Sequence, residues 1–295
     1  MKKFLDSNIK FKNQTVTERM QLFNYKSKDL PLPTEIEISE SGTCNRKCSF
    51  CPRSAPDWKD IKEFISDKLV DKMCNELSAF DFHGLIIISG FVEPMLDKNI
   101  YNIVNKFRTR VPKSKIEITT NGDVLNVNRI KKLFESGLTS FYISVYDGPE
   151  DEKKFIKMCK DAGIPEDKYK IRARYLPESQ DFGITLANRG GQMENAEYSI
   201  PSLKEPLSQP CYYPSYNFFM DYNGDVLVCS HDWGKKQIVG DFNKESLQKI
   251  WFGKKFVDAR KKLSIGNRNM SPCNKCDVIG TLLGEKNFKE WKKYL

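Results

Sequence analysis

Seven of the nine cysteines in this 295-residue chain fall in two spaced groups. Cys44, Cys48 and Cys51 form C-x3-C-x2-C, and Cys211, Cys229, Cys273 and Cys276 form C-x17-C-x43-C-x2-C. Thiolates at this density bind metal or sit reduced in a loop. Three are too few for a closed structural zinc site, which takes four. They suit an iron–sulfur cluster with one iron left open. The second group, read alone, fits structural zinc or a completely ligated cluster. The odd cysteine count, in a chain whose first residues lack a secretory pattern, argues against a disulfide framework. Cys74 and Cys159 lie on apolar faces of predicted helices and read as core residues.

The elements that position these groups alternate. Strands are expected at Glu35–Ser39, Leu85–Ser89, Lys115–Thr120, Thr139–Val145, Lys170–Leu176 and Gly183–Ala187. Helices are expected at Ser66–Ala79, Lys98–Arg110, Asn126–Ser136 and Glu150–Ala162, the last two stopped by Gly137 and Gly163. Such alternation predicts an α/β fold with a parallel sheet rolled into part of a barrel. Six strands are too few for the complete eightfold form. Residues 1–33 read as an N-terminal arm with one short helix near Thr17–Asn24. Past Gly190-Gly191 the pattern changes. Asn217–Asp221 and Asp225–Cys229 flank Asn223-Gly224, a hairpin signal. One helix is expected over Ser246–Leu263 and a basic one over Phe288–Leu295. The expected divisions are 1–33, 34–200, 201–280 and 281–295.

The segment Cys44-Asn45-Arg46-Lys47-Cys48-Ser49-Phe50-Cys51, with its aromatic before the third cysteine, resembles the signature of radical S-adenosylmethionine (SAM) enzymes. The resemblance implies a partial (β/α)6-type barrel over 34–200. It implies that Cys44, Cys48 and Cys51 hold three irons of a [4Fe–4S] cluster, whose fourth iron chelates the amino and carboxylate groups of SAM. A reductant such as flavodoxin or ferredoxin would start cleavage of SAM to a 5′-deoxyadenosyl radical, which takes a hydrogen atom from substrate. Further positions resemble the family's SAM contacts: Phe50; Gly90 and Glu93 in Ser89-Gly90-Phe91-Val92-Glu93-Pro94, with Val92 where a glycine is usual; Asn121; and Ser144. Arg172 and Arg174 are two apart and share one face; on the interior either could pair with the SAM carboxylate. Asn188-Arg189-Gly190-Gly191 resembles a sixth-strand ending. Cys211-x12-Gly224-x4-Cys229 resembles the opening of the SPASM extension. No cysteine follows Cys276, so the match is to its shortened twitch form, residues 201–280. There Cys211, Cys229, Cys273 and Cys276 would hold an auxiliary [4Fe–4S] cluster.

Without a spare cysteine to return a hydrogen atom, the resemblance favours net two-electron oxidation of a secondary alcohol on a sugar or cyclitol. The hydroxyl proton needs an acceptor, and Arg189, His231 and Asp232 are candidates. Arginine is a poor base and would rather orient the hydroxyl; His231 stands close enough to Cys229 to support the cluster. Modification of a ribosomal peptide and a zinc-bearing binding protein are the rival readings. The net charge of +9 is spread as lysine pairs over helical segments, so nucleic acid is not expected. No apolar run approaches the ~20 residues of a membrane span, and Met1–Asp6 lacks an apolar leader core. A cytoplasmic protein is expected.

Overall fold

Polar and apolar residues alternate along the strands: Glu-Ile-Glu-Ile-Ser at 35–39, Lys-Ile-Glu-Ile-Thr-Thr at 115–120, Ser-Phe-Tyr-Ile-Ser-Val at 140–145. A parallel sheet with helices outside and a solvent-filled interior needs that pattern, apolar outward and polar inward. The computed structural model describes residues 7–175 and 187–295 and has that architecture.

Helix α1 (Ser7–Glu18) leads into a hairpin of β1 (Leu22–Tyr25) and β2 (Lys28–Pro31). Strand β3 (Glu35–Ser39) starts the barrel, and a small ribbon of β4 (Ser41–Gly42) and β5 (Ile61–Phe64) brackets the first cysteine group. Then come α2 (Asp67–Ala79), β6 (Leu85–Ile88), α3 (Ile100–Arg110), β7 (Lys115–Thr120), α4 (Val127–Glu135), β8 (Ser140–Val145), α5 (Pro149–Asp161) and β9 (Tyr169–Ala173). Ser66 and Asn126 cap α2 and α4 through their side chains. After residue 187 follow α6 (Tyr213–Tyr216), β10 (Asn217–Asp221), β11 (Asp225–Leu227), β12 (Ile238–Asp241), α7 (Leu247–Trp251), α8 (Lys254–Ser264) and α9 (Glu285–Lys292).

The strand order is β12-β11-β10-β3-β6-β7-β8-β9. From β10 to β9 every pairing is parallel; β10-β11-β12 is antiparallel. Ile36, Ile38, Ile86, Ile88, Ile116, Ile118, Phe141 and Ile143 face outward into one core with Leu69, Met73, Ile103, Phe107, Ile130 and Leu133 of the helices. Because β10 pairs directly with β3, the segment carrying the second cysteine group extends the barrel's own sheet. The two cysteine groups are thereby fixed to one backbone lattice.

Three expectations are corrected. The helix near Thr17–Asn24 is instead α1, which ends at Glu18, followed by the β1–β2 hairpin. That hairpin turns at Lys26-Ser27, both with positive φ, without the glycine or asparagine that usually marks such a turn. The single helix over Ser246–Leu263 is two, α7 and α8, because Gly253 takes an extended conformation and starts α8. The final helix begins at Glu285, three residues before the expected start. The sixth strand expected at Gly183–Ala187 falls outside the described residues, save Ala187. No helix among the described residues is long and apolar enough to cross a membrane.

Candidate functional site

The loop after β3 and β4 carries Cys44, Cys48 and Cys51. Their side chains line a cavity of about 160 Å3 together with Phe50, Gly90, Glu93, Asn121, Ser144 and Arg189. Cys44 Sγ accepts from Arg46 N at 3.4 Å and Asn121 Nδ2 at 3.8 Å, and Asn121 Nδ2 also donates to Asn45 Oδ1 at 2.8 Å. Phe50 stacks on Tyr146, centroids 5.5 Å apart. Burial raises all three thiols, Cys48 to about 11. They therefore stay protonated near neutral pH until a metal takes them. Three thiols around a void fit a cluster with one open iron.

Charged side chains tie this loop to the strand ends. Arg46 donates from Nε to Asp123 Oδ2 at 2.7 Å and from Nη1 to Asp147 Oδ1 at 2.9 Å, which raises its own pKa and lowers that of Asp147. Arg53 is buried; its Nη1 donates to Phe91 O at 2.8 Å and it pairs with Asp60. Sequence reading missed Arg53, although a lone cation beside Cys51-Pro52, with an acid eight residues after Pro52, was the available signal. Glu93 is 1% exposed. Its Oε1 accepts from Met95 N at 3.0 Å and Thr120 Oγ1 at 2.5 Å, and its Oε2 from Asn121 N at 2.6 Å. It thus laces the ends of β6 and β7, with one acceptor position left over. Burial lifts its pKa to about 7. Gly90 has φ +98°, and a Cβ there would stand 2.8 Å from Ser39 Cβ, so only glycine lets the chain turn so close to β3. Val92 packs against Phe91, Phe219 and Trp233.

A larger cavity of about 920 Å3 fills the barrel interior. It shares Ser89, Gly90, Thr119, Ser144, Tyr146, Arg189 and Trp233 with the cysteine cavity, so the two communicate. Arg172 and Arg174 do point inward, but they line the larger cavity and not the smaller one. The Arg172 guanidinium lies 4.4 Å over the Tyr142 ring. Below stand Glu37 and Glu117, with Lys12 from α1. Burial raises Glu117 to about 7, against the pull of Lys12 and Arg172. The inward glutamates were legible as the polar half of the strand alternation, yet sequence reading passed over them.

The second group is built differently. Cys211 precedes α6, Cys229 follows β11, and Cys273 and Cys276 lie on the loop after α8. Burial raises all four thiols, and the other three thiols add to the rise at Cys229. Buried Arg268 stitches the cysteine segments, donating to Gln209 O at 3.0 Å, Pro210 O at 3.2 Å and Val278 O at 3.1 Å. A Cβ on Gly280 would stand 2.3 Å from Cys211 Sγ. Four thiols from three segments, Cys273 and Cys276 buried and Cys211 and Cys229 half-buried, suit in number a completely ligated cluster. Asn188 links this region to the barrel: its Nδ2 donates to Lys275 O at 2.7 Å, and its N donates to Asp277 Oδ1 at 2.9 Å. The next residue, Arg189, then reaches both cavities and lies 5.7 Å over Trp233. His231 and Asp232 line neither cavity. His231 Nε2 is 3.0 Å from Tyr213 Oη, and burial, then Arg189 and Lys12, lower its pKa to about 3, so it is neutral. Asp232 is fully buried, accepting from Lys236 N at 2.9 Å and Gln237 N at 2.7 Å. It closes a turn rather than facing a substrate.

Comparison with known proteins agrees with this arrangement. The family model described as the radical SAM superfamily matches residues 38–184, and the model for the SPASM iron-sulfur cluster-binding domain matches 211–277. The chain is 30% identical over 252 residues to the S-adenosyl-L-methionine-dependent 2-deoxy-scyllo-inosamine dehydrogenase of Niallia circulans, covering 85% of this chain and 95% of that protein. The crystal structure of BtrN in complex with AdoMet and 2-DOIA superposes with a TM-score of 0.72 at 28% identity, covering 86% of this chain and 96% of that one. Native anSMEcpe with bound AdoMet and Cp18Cys peptide shares the fold, with a TM-score of 0.53 at 13% identity, over 89% of this chain and 97% of that one.

Proposed function

The chain belongs to the radical SAM superfamily, and from that premise we propose that it removes two electrons and two protons from a secondary alcohol of a sugar or cyclitol. It is an oxidoreductase whose cofactors are SAM and [4Fe–4S] clusters. Cys44, Cys48 and Cys51 would take the SAM-binding cluster, and Cys211, Cys229, Cys273 and Cys276 the auxiliary one. When bound, these groups supply an acceptor for a hydrogen atom from the carbinol carbon and an acceptor for the second electron.

The observation that carries the reading is the passage from the cysteine cavity into a polar barrel interior of about 920 Å3. Its walls present hydroxyls, carboxyls and guanidinium groups at closely spaced positions, which suits a small ring with many hydroxyls. Arg189 stands where the cavities meet and would orient the reacting hydroxyl. Gly90, Asn121 and Ser144 line the SAM side, and Phe50 with Tyr146 walls it. The hydroxyl proton would pass to a carboxyl of the wall; Glu117, raised to about 7, is matched to that task near neutral pH. The relative named for 2-deoxy-scyllo-inosamine supports the substrate class. A flavodoxin- or ferredoxin-type reductant would supply the priming electron.

The test is anaerobic reconstitution followed by a panel of cyclitols, sugars and peptides. The reading expects 5′-deoxyadenosine and a ketone in equal amounts from a cyclic polyol, with substrate deuterium recovered in the deoxyadenosine. Turnover of peptides with none of polyols would overturn it.

A further inference from the structure

Helix α1 lies ahead of residue 38, where the family match begins. It nevertheless reaches into the larger cavity, where Lys12 and Thr15 line the end at which the strands start. Arg19, Lys115 and Lys168 line that end as well, facing a set of carboxyls. Glu37 and Glu117 line it, and Glu35 is buried beside them. Lys12 Nζ lies 3.1 Å from Glu35 Oε1. Asn217 Nδ2 bridges Glu35 at 2.6 Å and Glu37 at 3.2 Å, and Ser89 Oγ donates to Glu37 at 2.9 Å. Glu35 Oε2 is buried without a partner. The Lys12 ammonium is thus drawn by all three carboxyls at the floor of a cavity that admits a ligand.

The ammonium is held in place. Asn13 Oδ1 accepts from Gly284 N at 3.3 Å, and Arg19 donates to Lys113 O at 3.2 Å and to His83 O. Val16 is buried with Tyr216 and Leu283. A second ammonium entering on a substrate would meet Lys12 as a like charge. A hydroxyl would find carboxylate oxygens to accept its proton. Discrimination by a built-in repulsive group is a recognised route to specificity.

Resting on the reading of the chain as a sugar or cyclitol dehydrogenase, we propose that Lys12 is a specificity-determining residue. Its ammonium supplies, from the chain itself, the positive charge that the glutamate floor would otherwise take from an amino group of the substrate. The enzyme therefore selects a ring bearing hydroxyls at this end over one bearing an amine.

The experiment uses the reconstituted, SAM-loaded enzyme and two probes: 2-deoxy-scyllo-inosamine, and the same ring with a hydroxyl in place of its amine. Binding is measured by calorimetry for the wild type and for Lys12→Ala. The wild type is expected to prefer the hydroxyl probe, and Lys12→Ala to gain affinity for the amine probe by about tenfold or more. Ethylammonium, a cut-down lysine side chain, should stabilise Lys12→Ala against thermal unfolding and leave the wild type unchanged. An unchanged preference in Lys12→Ala, or no response to ethylammonium, overturns the proposal. If ethylammonium stabilises the variant while neither ring binds either protein, the Lys12 assignment stands and the polyol reading of the substrate falls. Should Lys12→Ala fail to fold, Lys12→Met, which keeps the length of the side chain and removes only its charge, carries the same comparison.

Discussion

The loop bearing Cys44, Cys48 and Cys51 is tied down mainly by side-chain charge, Arg46 reaching Asp123 and Asp147 at a partly exposed rim and buried Arg53 reaching Asp60 and Phe91 O. The segments bearing Cys211, Cys229, Cys273 and Cys276 are bound by buried contacts to backbone, with Arg268 across three carbonyls and Asn188 across the link to the barrel. The first group borders a cavity that opens into the barrel; the second is packed so closely that Gly280 leaves no room for a methyl beside Cys211. The difference follows from the chemistry each must allow. A three-thiol site must admit a small molecule to its open position, so its surroundings keep a void. A four-thiol site needs only to be kept dry and in register, so its surroundings can close.

The widest separation comes from removing the thiols. Cys44→Ala/Cys48→Ala/Cys51→Ala should lower iron from about eight to about four per chain and abolish SAM cleavage altogether. Cys211→Ala/Cys229→Ala/Cys273→Ala/Cys276→Ala should also retain about four irons, but still cleave SAM while making no ketone. Iron analysis and chromatography of deoxyadenosine and ketone read both. Ketone at the wild-type rate from the second variant would remove the auxiliary site from the oxidation. Next comes Arg268→Ala, which strands three carbonyls and opens a buried space. A loss of about 3–5 kcal/mol in denaturant unfolding is expected, with iron leaving the second site first. Arg268→Lys should recover little of it, because one ammonium does not span the fork.

The interior differs again, because its charges titrate. Glu117 rises from the usual 4.5 to about 7 in the folded chain, burial outweighing Lys12 and Arg172. The folded state therefore keeps a proton that the unfolded state gives up. The stability this contributes is complete below about pH 4.5 and is lost as pH climbs through 7, at most about 3 kcal/mol over that window. Glu117→Gln should flatten that part of the stability–pH curve. An unchanged slope would mean that Glu117 is not the group holding the proton.

Much of this was legible because cysteine spacing is unambiguous chemistry and helix caps such as Ser66 and Asn126 are local. Both cysteine groups could be read directly, as could the alternation of β3, β6, β7, β8 and β9 with α2 to α5, and resemblance to the radical SAM signature pointed to Phe50 and Glu93. Two kinds of signal were not. Long-range pairing leaves no local trace: nothing near Asn217 says that β10 lies beside β3, so the shared sheet was invisible. The inward glutamates were visible as alternation but ambiguous, since a polar strand face lies against water or against a cavity. Only the closed helical layer outside settles which. His231 and Asp232 were drawn in by nearness to Cys229 in sequence, although backbone amides claim Asp232 and Tyr213 bonds His231.

The smallest effect sharpens the contrast most finely. Arg46 has two carboxylate partners, but Asp147 is 55% exposed and Asp123 26%. Exposed pairs are screened and repay little of the side-chain entropy they cost. Arg46→Ala should therefore cost below about 1 kcal/mol of global stability, against several for Arg268→Ala. Its effect belongs elsewhere. Arg46 N lies 3.4 Å from Cys44 Sγ, and the guanidinium stands 5.2 Å from the centroid of Tyr146, which also stacks on Phe50. Loosening it should slow iron uptake at the first site and weaken SAM binding a few-fold, more at low than at high salt, because salt already screens the pairs in the wild type. A global loss as large as that of Arg268→Ala would mean that the first loop is held as firmly as the second. The distinction between a site kept open and a site kept closed would then have to rest on the cavity alone.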